Sequence, residues 1–312
     1  MKKISILTAC YNEEDNVEIL ISEVKKQMEK LPQYEYEHVF IDNASTDRTV
    51  EILKSIADTD KHVKIIVNVR NFGHIRSPFH GFRQCYGDAV ISLVADLQDP
   101  PELIPQFIEK WENGYKIVVG VKNKSKENPI MYGIRKIFYG LLSKISETDQ
   151  IKNFTGVGLY DKSFVDVLRT IDDPYPYFRG LVGELGFART EVTYTQPKRE
   201  RGSTKNNFYT LYDMAMLGFV NHSKVPLRLA SFIGFGAAIM SLLAAIIYFV
   251  YKLIYWDNFQ TGTAPLVIGL FFFSSIQLFF IGIIGEYIGA IHTQVRKRPL
   301  VIEKERYNFE NN

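Results

Sequence analysis

The sequence has only two cysteines, Cys10 and Cys85, among its 312 residues. Their spacing fits neither a metal site nor a redox motif, which favours buried thiols in a reducing compartment over a disulfide framework. No Gly-x-Gly-x-x-Gly follows the first predicted strand, and this argues against a dinucleotide-binding Rossmann domain. No Gly-Lys-Ser or Gly-Lys-Thr loop is present, which argues against a P-loop NTPase.

Charged residues are also missing from two long stretches, 229–251 and 258–285. Because about 20 apolar residues cross a bilayer as a helix, these stretches predict two membrane-spanning helices, near 229–251 and 264–288, joined as a short hairpin. Lysine and arginine are frequent before the first stretch and after the second, whereas the hairpin loop has only Lys252 beside it. Since positive residues stay on the cytoplasmic side, we expect a multi-pass protein of the cytoplasmic membrane with both flanking parts in the cytoplasm.

The first part of the chain alternates short apolar runs, rich in β-branched residues, with amphipathic segments. This alternation predicts a right-handed, mostly parallel α/β sheet. The predicted strands are 3–10, 38–41, 63–67, 89–94 and 116–121. The fourth of them stops at an acidic turn and leads through Pro100 and Pro101 into a helix, because proline suits the first helical turn.

Polar side chains follow three of these strands, and they are Asn12 with Glu13, Asp42 with Asp47, and Asp96 with Gln98. Ligands of open α/β sheets bind at the carboxyl ends of strands, and hard oxygen ligands there suit Mg²⁺ or Mn²⁺ carrying a substrate's phosphates. The three clusters therefore predict a site for a nucleoside diphosphate and a metal. The alternative is that such residues, Asp96 and Asp99 among them, only cap the helices that follow.

Four motifs occur in a characteristic order, and they are Tyr-Asn-Glu-Glu at 11–14, Asp-x-x-Ser-Thr-Asp at 42–47, Arg-Asn-Phe-Gly at 70–73 and Ala-Asp-Leu-Gln-Asp-Pro-Pro-Glu at 95–102. In this order they resemble the family 2 glycosyltransferases, most closely the polyprenyl-phosphate sugar synthases. The resemblance covers residues 3 to about 300 and includes both apolar stretches. It implies a Rossmann-like α/β fold of the nucleotide-sugar transferase A type, followed by a two-helix transmembrane hairpin.

The resemblance also implies a division of the chain. We expect a cytoplasmic transferase domain over 1–205, an interfacial juxtamembrane helix over 206–228, the hairpin over 229–290 and a cytoplasmic tail over 291–312. Within the juxtamembrane segment, residues 208–219 are apolar and aromatic with few charges, as in helices that lie in the headgroup plane. The alternative is that this segment packs on the sheet.

Roles for individual residues follow from the resemblance too. It implies that Tyr11, Glu13, Asp42 and Asn71 hold the nucleotide, and that Asp96, assisted by Gln98, binds Mg²⁺ or Mn²⁺ on the donor diphosphate. Phosphate is expected to be bound by basic residues, since arginine grips phosphate oxygens in a bidentate way; these are Arg179, Arg201 and Lys205, with Arg199 as a further candidate. Asp96, Arg201 and Lys205 are the expected catalytic residues. The alternative for the basic stretch 197–205 is an ordinary positive-inside patch.

The chain departs from the family pattern at four positions. Val94 stands where the family has the first aspartate of Asp-Ala-Asp, and His74 where it commonly has lysine. Gly156 and Gly158 replace the aspartate and arginine of the Gly-Asp-Phe-Arg-Leu motif of many relatives. Loss of a catalytic acid there is tolerable, because an anionic lipid phosphate needs no general base.

The sequence thus predicts a membrane-anchored, inverting transferase that moves a sugar from a nucleoside-diphosphate donor, with UDP-glucose as the first choice, onto undecaprenyl or another polyprenyl phosphate. Two spans form no channel, so a separate flippase is an expected partner. Glycines in the spans allow a homo-oligomer, and no nucleic-acid partner is expected.

Two alternatives stay open. One is a polysaccharide synthase with a hydroxyl acceptor, although Gln-x-x-Arg-Trp is absent. The other is a non-catalytic protein that binds nucleotide sugars or lipid carriers.

Overall fold

The computed structural model describes residues 1–123, 151, 153–197, 225–255 and 263–309. Its strands are β1 (Lys2–Cys10), β2 (Tyr34–Asp42), β3 (Val63–Asn68), β4 (Ala89–Val94), β5 (Ile117–Lys122), β6 (Phe154–Asp161), β7 (Arg189–Tyr194) and β8 (Glu303–Tyr307). Its helices are α1 (Val17–Met28), α2 (Thr49–Thr59), α3 (Gly73–Gln84), α4 (Ile104–Glu112), α5 (Lys162–Thr170), α6 (Phe178–Glu184), α7 (Val225–Ile254) and α8 (Thr263–Val295). A short 3₁₀ turn, Pro101–Leu103, precedes α4.

All eight strands form one sheet in the order β7-β5-β6-β4-β1-β2-β3-β8. The strands β4, β1, β2 and β3 are mutually parallel, which confirms the predicted mostly parallel α/β sheet. Side chains of these strands alternate between two apolar layers. On β1, Ile6 packs in one layer with Leu20 of α1, and Leu7 packs in the other with Phe79 of α3. Burial on both faces explains why these strands read as nearly continuous apolar runs.

Three strands, β6, β7 and β8, were not predicted from the sequence. β7 is parallel to its neighbour β5, whereas the other two are antiparallel to their neighbours. β6 lies between β4 and β5 and is antiparallel to both. β8 comes from the expected cytoplasmic tail and pairs with β3, with Ile65 opposite Tyr307 and Ile66 opposite Arg306. The sequence of β8, Glu-Lys-Glu-Arg-Tyr, has no apolar alternation, so it carries no strand signal. It is suited to a sheet edge, where charge discourages further pairing.

Side-chain contacts hold β8 on the sheet from both faces. Glu303 accepts hydrogen bonds from Arg306 and pairs with His80 of α3. On the α2 side, Lys54 lies 2.8 Å from Glu305, and the Tyr307 hydroxyl donates to Asp58 over 2.6 Å. The segment that leaves α8 is therefore tied to the helices of the main sheet.

The two helices α7 and α8 contain the long uncharged stretches. Their apolar parts, Ala230–Tyr251 and Gly269–Val295, have mean hydropathies of 2.3 and 1.7, and none of either part is buried in the protein. Both are long and apolar enough to cross a membrane. Within the described part of 206–228, residues 225–228 already belong to α7, and the rest of the expected interfacial helix lies outside the described residues.

A buried ionic cluster lies at the amino-terminal edge of the sheet, around Glu37 of β2. The carboxylate accepts a hydrogen bond from the Ser5 hydroxyl (2.6 Å), and its other oxygen lies 2.6 Å from the Lys3 ammonium and 2.9 Å from that of Lys64. Burial alone would raise the pKa of Glu37, but the hydrogen bonds from Lys3, Lys64 and Ser5 outweigh it and hold the pKa below its ordinary value. The charged form is thus the stable one in the folded protein.

This cluster predicts an acid-sensitive contribution to stability. Because the pKa of Glu37 is lower in the folded than in the unfolded protein, its contribution is present above the unfolded pKa of about 4.3 and is lost as the pH falls through the folded pKa. Glu37→Gln is expected to cost about 2 kcal/mol at pH 7 and much less in acid, measured as thermal unfolding of the full chain in detergent. Glu51→Gln is the control, since its pair with Arg48 is exposed and should contribute little. An equal loss at both pH values would contradict the prediction.

Candidate active site

The carboxyl ends of β2, β1 and β4 lie side by side at one edge of the sheet. Cys10 is paired with Asp42, and Ala9 is paired with Val94. The three polar clusters that follow these strands therefore share one edge. In an open α/β sheet this edge is the usual place of a ligand site.

The loops after β1 and β2 are bonded to each other by backbone and side-chain groups. Asn12, whose φ is +55°, accepts the N–H of Thr46 on its side-chain oxygen (2.8 Å) and donates its own N–H to the Ser45 hydroxyl (2.9 Å). The N–H of Glu13 donates to the Thr49 hydroxyl over 2.9 Å, and Asp47 accepts the N–H of Thr49 over 3.0 Å. These bonds fix the acidic loops before any ligand arrives.

Asp42 is fully buried at the end of β2. One carboxylate oxygen accepts the N–H of Ser45 over 2.9 Å, and the other accepts the Ser45 hydroxyl. Burial, as the largest influence, raises the pKa of Asp42 although the Ser45 bonds act in the opposite direction. In this structure the side chain braces the turn at Ala44, whose φ is +63°. A direct contact of Asp42 with the nucleotide, which the resemblance implies, stays a prediction.

Asp96 and Gln98 occupy the turn after β4 and are both partly exposed. The Asp96 carboxylate accepts the N–H of Gln98 over 3.2 Å, and Leu97 between them has a φ of +58°. Asp99 is buried and accepts a hydrogen bond from the Tyr194 hydroxyl. Pro100, at the start of the 3₁₀ turn that follows, makes no side-chain cap, and the capping alternative for Asp96 and Asp99 stays a prediction.

The oxygen atoms of this turn suit a hard divalent cation that arrives with its substrate. Among the described residues, no group of three or more His, Cys, Asp or Glu side chains could hold a metal. Mg²⁺ usually takes only one or two carboxylates from the protein and completes its shell with water and substrate phosphates. The Asp96 carboxylate and the Gln98 amide oxygen fit that requirement, whereas Val94 offers no ligand. We expect the diphosphate to supply more of the coordination than it does where a second aspartate is present.

Asn43 holds the loop that joins β3 to α3, and sequence reasoning missed it. Its side chain accepts the N–H of Phe72 (2.8 Å) and donates to the Asn71 side-chain oxygen (2.9 Å) and to the carbonyl of Gly73 (3.3 Å). The Asn71 oxygen also accepts the N–H of Gly73 over 2.8 Å. The expected nucleotide contact of Asn71 stays a prediction, but its side-chain oxygen already accepts two hydrogen bonds that shape its own loop.

Arg179 lies in the first turn of α6, next to Phe178. The Phe178 ring stacks on Phe82 of α3 at 4.5 Å between ring centres and meets Tyr160 of β6 at 5.1 Å. This aromatic packing sets the position of Arg179 relative to α3. The other expected phosphate-binding residues, Arg199, Arg201 and Lys205, lie outside the described residues. Tyr11 and Glu13 lie at the sheet edge directly after β1.

The fold and the acidic sheet edge together define a glycosyltransferase of the nucleotide-sugar transferase A type. The sequence profile of Glycosyl transferase family 2 matches residues 5–164. The chain belongs to glycosyl transferase family 2.

Relatives match nearly the whole chain. It is 36% identical to the uncharacterized glycosyltransferase YkcC of Bacillus subtilis, over 98% of this chain and 95% of the relative. It is 32% identical to the bactoprenol glucosyl transferase of Shigella phage SfX, over 97% of this chain and 99% of the relative. Among solved structures, mannosyl-3-phosphoglycerate synthase from Rubrobacter xylanophilus shares the fold with a TM-score of 0.50 and 15% identity, over 69% of this chain and 71% of that one.

The Asn43 brace predicts a defect in donor binding. Asn43→Ala leaves the buried N–H of Phe72 without its acceptor and releases the loop that carries Asn71, so we expect a loss of about 2 kcal/mol in stability and a raised KM for the nucleotide-sugar donor. Asn308→Ala is the matched control, because Asn308 braces the sheet edge through the carbonyls of Ala57 and Val63. It should lower stability and leave the KM for the donor unchanged. If Asn43→Ala also leaves that KM unchanged, the loop has no part in donor binding.

Proposed function

We propose that the protein transfers a sugar, with UDP-glucose as the first candidate donor, to undecaprenyl or another polyprenyl phosphate with inversion at the anomeric carbon. The observation that carries the proposal is the match to a bactoprenol glucosyl transferase over 97% of this chain, including both apolar helices. The acidic sheet edge supports a nucleoside-diphosphate donor. The apolar helices support an acceptor that resides in a membrane.

The chemistry is a single displacement at the anomeric carbon. A phosphate oxygen of the lipid forms the new bond to carbon, while the bond from carbon to the donor's diphosphate oxygen breaks and leaves the nucleoside diphosphate. Because the lipid phosphate is already anionic, the attacking atom needs no general base. The protein's task is to position the two anions and to offset their charge.

Each part of that task has candidate residues. Asp96 and Gln98 would hold Mg²⁺ or Mn²⁺, and such an ion offsets charge that develops on the leaving diphosphate. Tyr11, Glu13 and Asn71 would contact the nucleotide, with Asp42 behind them as the brace of the neighbouring turn. Cationic side chains of Arg179, Arg199, Arg201 and Lys205 would bind phosphate.

We further propose that α7 and α8 cross the cytoplasmic membrane as a hairpin. The chain enters α7 from the main domain and returns to the same sheet as β8. An even number of crossings is consistent with this return. The Lys/Arg distribution supports the cytoplasm as the side on which the domain and the C-terminal strand lie. A two-helix anchor forms no channel for the product, so a separate flippase would be required.

A transfer assay tests the function. Purified full-length protein in detergent is incubated with undecaprenyl phosphate, Mg²⁺ or Mn²⁺, and a panel of radiolabelled nucleotide sugars, and label is counted in the organic phase. We expect one donor to label the lipid and a metal chelator to stop the labelling. Release of free sugar without labelled lipid would indicate a different acceptor, such as a hydroxyl. Nucleotide binding without turnover of any donor would indicate a non-catalytic binding protein.

A further inference from the structure

Arg76, in the first turn of α3, carries a buried hydrogen-bond donor for which the described part of the chain offers no acceptor. Its Nε atom is buried and has no hydrogen-bond partner among the described residues. The carbon atom of its guanidinium lies 5.4 Å from the centre of the Tyr175 ring, which restrains the group by a cation–π contact. Leaving a charged donor unpaired is costly, and such groups in native proteins commonly mark the place of an ion or ligand.

A second guanidinium approaches the same region from α6. Arg179 follows Phe178, and the stacking of Phe178 on Phe82 fixes α6 against α3. The two helices are close enough for their charges to interact. The pKa of His74, the second residue of α3, is lowered first by desolvation and then by the positive charge of Arg179. The lowered pKa favours the uncharged form of His74, so the positive charge here comes from the two arginines. Arg76 contacts Tyr175, which is four residues before Arg179, so both arginines belong to one positively charged region.

No carboxylate neutralises this region in the part of the chain that the structure describes. Neither Arg76 nor Arg179 forms an ion pair there. The two acids of the preceding loop are engaged elsewhere, since Asp173 accepts the N–H of Tyr175 over 2.8 Å and Asp172 lies 3.8 Å from the ammonium of Lys297. Within the described residues, the positive charge of the two arginines is thus left without a carboxylate partner and is suited to bind an anion.

The position of the region favours an anion carried by a lipid. Lys297 comes two residues after the end of the apolar helix α8, and its pairing with Asp172 places the loop that carries Tyr175 beside that helix end. The same segment continues to Glu303, which pairs with His80 one turn beyond Arg76 on α3. Both elements that carry the arginines are therefore linked to the chain as it leaves α8.

We propose that Arg76 and Arg179 form a subsite for the phosphate of the lipid acceptor, with the Tyr175 ring holding the Arg76 guanidinium in place. The subsite rests on the proposed function and adds to it a residue that the sequence did not reveal. A guanidinium offers phosphate a planar pair of donors, and the buried Nε of Arg76 would gain the acceptor it lacks. The two arginines would hold the attacking phosphate against the repulsion of the donor diphosphate.

The test uses the full-length protein in detergent and the variants Arg76→Gln, Arg179→Gln and Arg76→Lys. Two quantities are measured with undecaprenyl phosphate, namely its KM in the transfer assay and its binding without donor, by thermal stabilisation. Arg76→Gln and Arg179→Gln should each raise the KM and the apparent Kd for undecaprenyl phosphate about tenfold or more, because a hydrogen bond to a charged group is lost. The KM for the nucleotide sugar should stay unchanged. Arg76→Lys, which keeps the charge without Nε, should be intermediate.

Arg83→Gln is the matched control. Arg83 is on the same helix, but it donates to the carbonyl of Arg169 at the far end, so its loss should leave the KM for undecaprenyl phosphate unchanged. If Arg76→Gln is active and binds undecaprenyl phosphate normally, the subsite is overturned. If only its KM for the nucleotide sugar changes, the subsite is also overturned, and Arg76 would be assigned to the donor diphosphate. Failure of the proposed function looks different. If the wild-type protein binds undecaprenyl phosphate but transfers no sugar, and Arg76→Gln loses that binding, the subsite is supported and the proposed transfer is refuted.

Discussion

Asp96→Ala is expected to lower sugar transfer by about a thousandfold while the protein stays folded. The effect is large because Asp96 supplies the single carboxylate of Val94-Ala95-Asp96, and charge on a departing diphosphate must be offset in the transition state. Removal of one preorganised electrostatic group of this kind typically costs about 10²–10³ in rate, and loss of a bound cation adds to that. The side chain is partly exposed at the end of β4, so its loss leaves the apolar layers intact. Initial rates with labelled donor and thermal unfolding of the same samples measure both parts of the prediction.

Asp99→Asn is the control for this experiment. Asp99 lies three residues further on, is buried, and accepts a hydrogen bond from the Tyr194 hydroxyl, which an asparagine oxygen can also accept. We expect this variant to retain transfer within about tenfold, since its side chain is not offered to a ligand. Gln98→Ala should raise the Mg²⁺ or Mn²⁺ concentration that gives half-maximal rate. More than a tenth of the wild-type rate in Asp96→Ala would show that other groups hold the diphosphate.

The parallel strands of the sheet could be predicted because each buries apolar, β-branched residues on both faces. The limits of the prediction are visible in β2, which was expected at 38–41 but runs over Tyr34–Asp42. Its additional residues include Glu35 and Glu37, and glutamates in a sequence argue against a buried central strand at that place. Glu37 is nevertheless buried, because Lys3 and Lys64 come from the neighbouring strands to pair with it. That compensation requires the tertiary structure and cannot be read from the segment alone.

The site shows the same division between local and long-range information. The acidic loops could be placed at one sheet edge because parallel strands bring their carboxyl ends together. Which oxygen is offered to a ligand could not be predicted, since Asp42 and Asp99 are held by Ser45 and Tyr194. Asn43 and Arg76 were missed for a related reason. An asparagine after a strand reads as an ordinary turn residue, and the partners of Arg76 are distant in sequence.

β6 was missed because its two glycines read as a loop, and the structure gives one of them a specific role. Gly158 lies between β4 and β5, opposite Ser92 on one side and Val119 on the other. A Cβ atom at this position would fall on the carbonyl oxygen of Val118, far closer than real Cβ atoms approach any atom. The glycine is therefore required by the close approach of the two strands. It also explains why this chain cannot carry the arginine that many relatives have in the corresponding motif.

Gly158→Ala is accordingly expected to destabilise the protein by about 3 kcal/mol, which lowers the unfolding midpoint by about 6–12 °C. The clash is with backbone in the middle of the sheet, so no flexible side chain can yield to relieve it. Gly156→Ala is the matched control. Its φ of +105° makes alanine strained, but only the Phe178 ring lies near, at 3.9 Å from the added Cβ, and we expect a loss of about 1 kcal/mol. Thermal unfolding of the two variants in detergent measures the difference. If both lost the same stability, the strain of the backbone angle would suffice as the cause, and the approach of β5 to β6 would have no special role at Gly158.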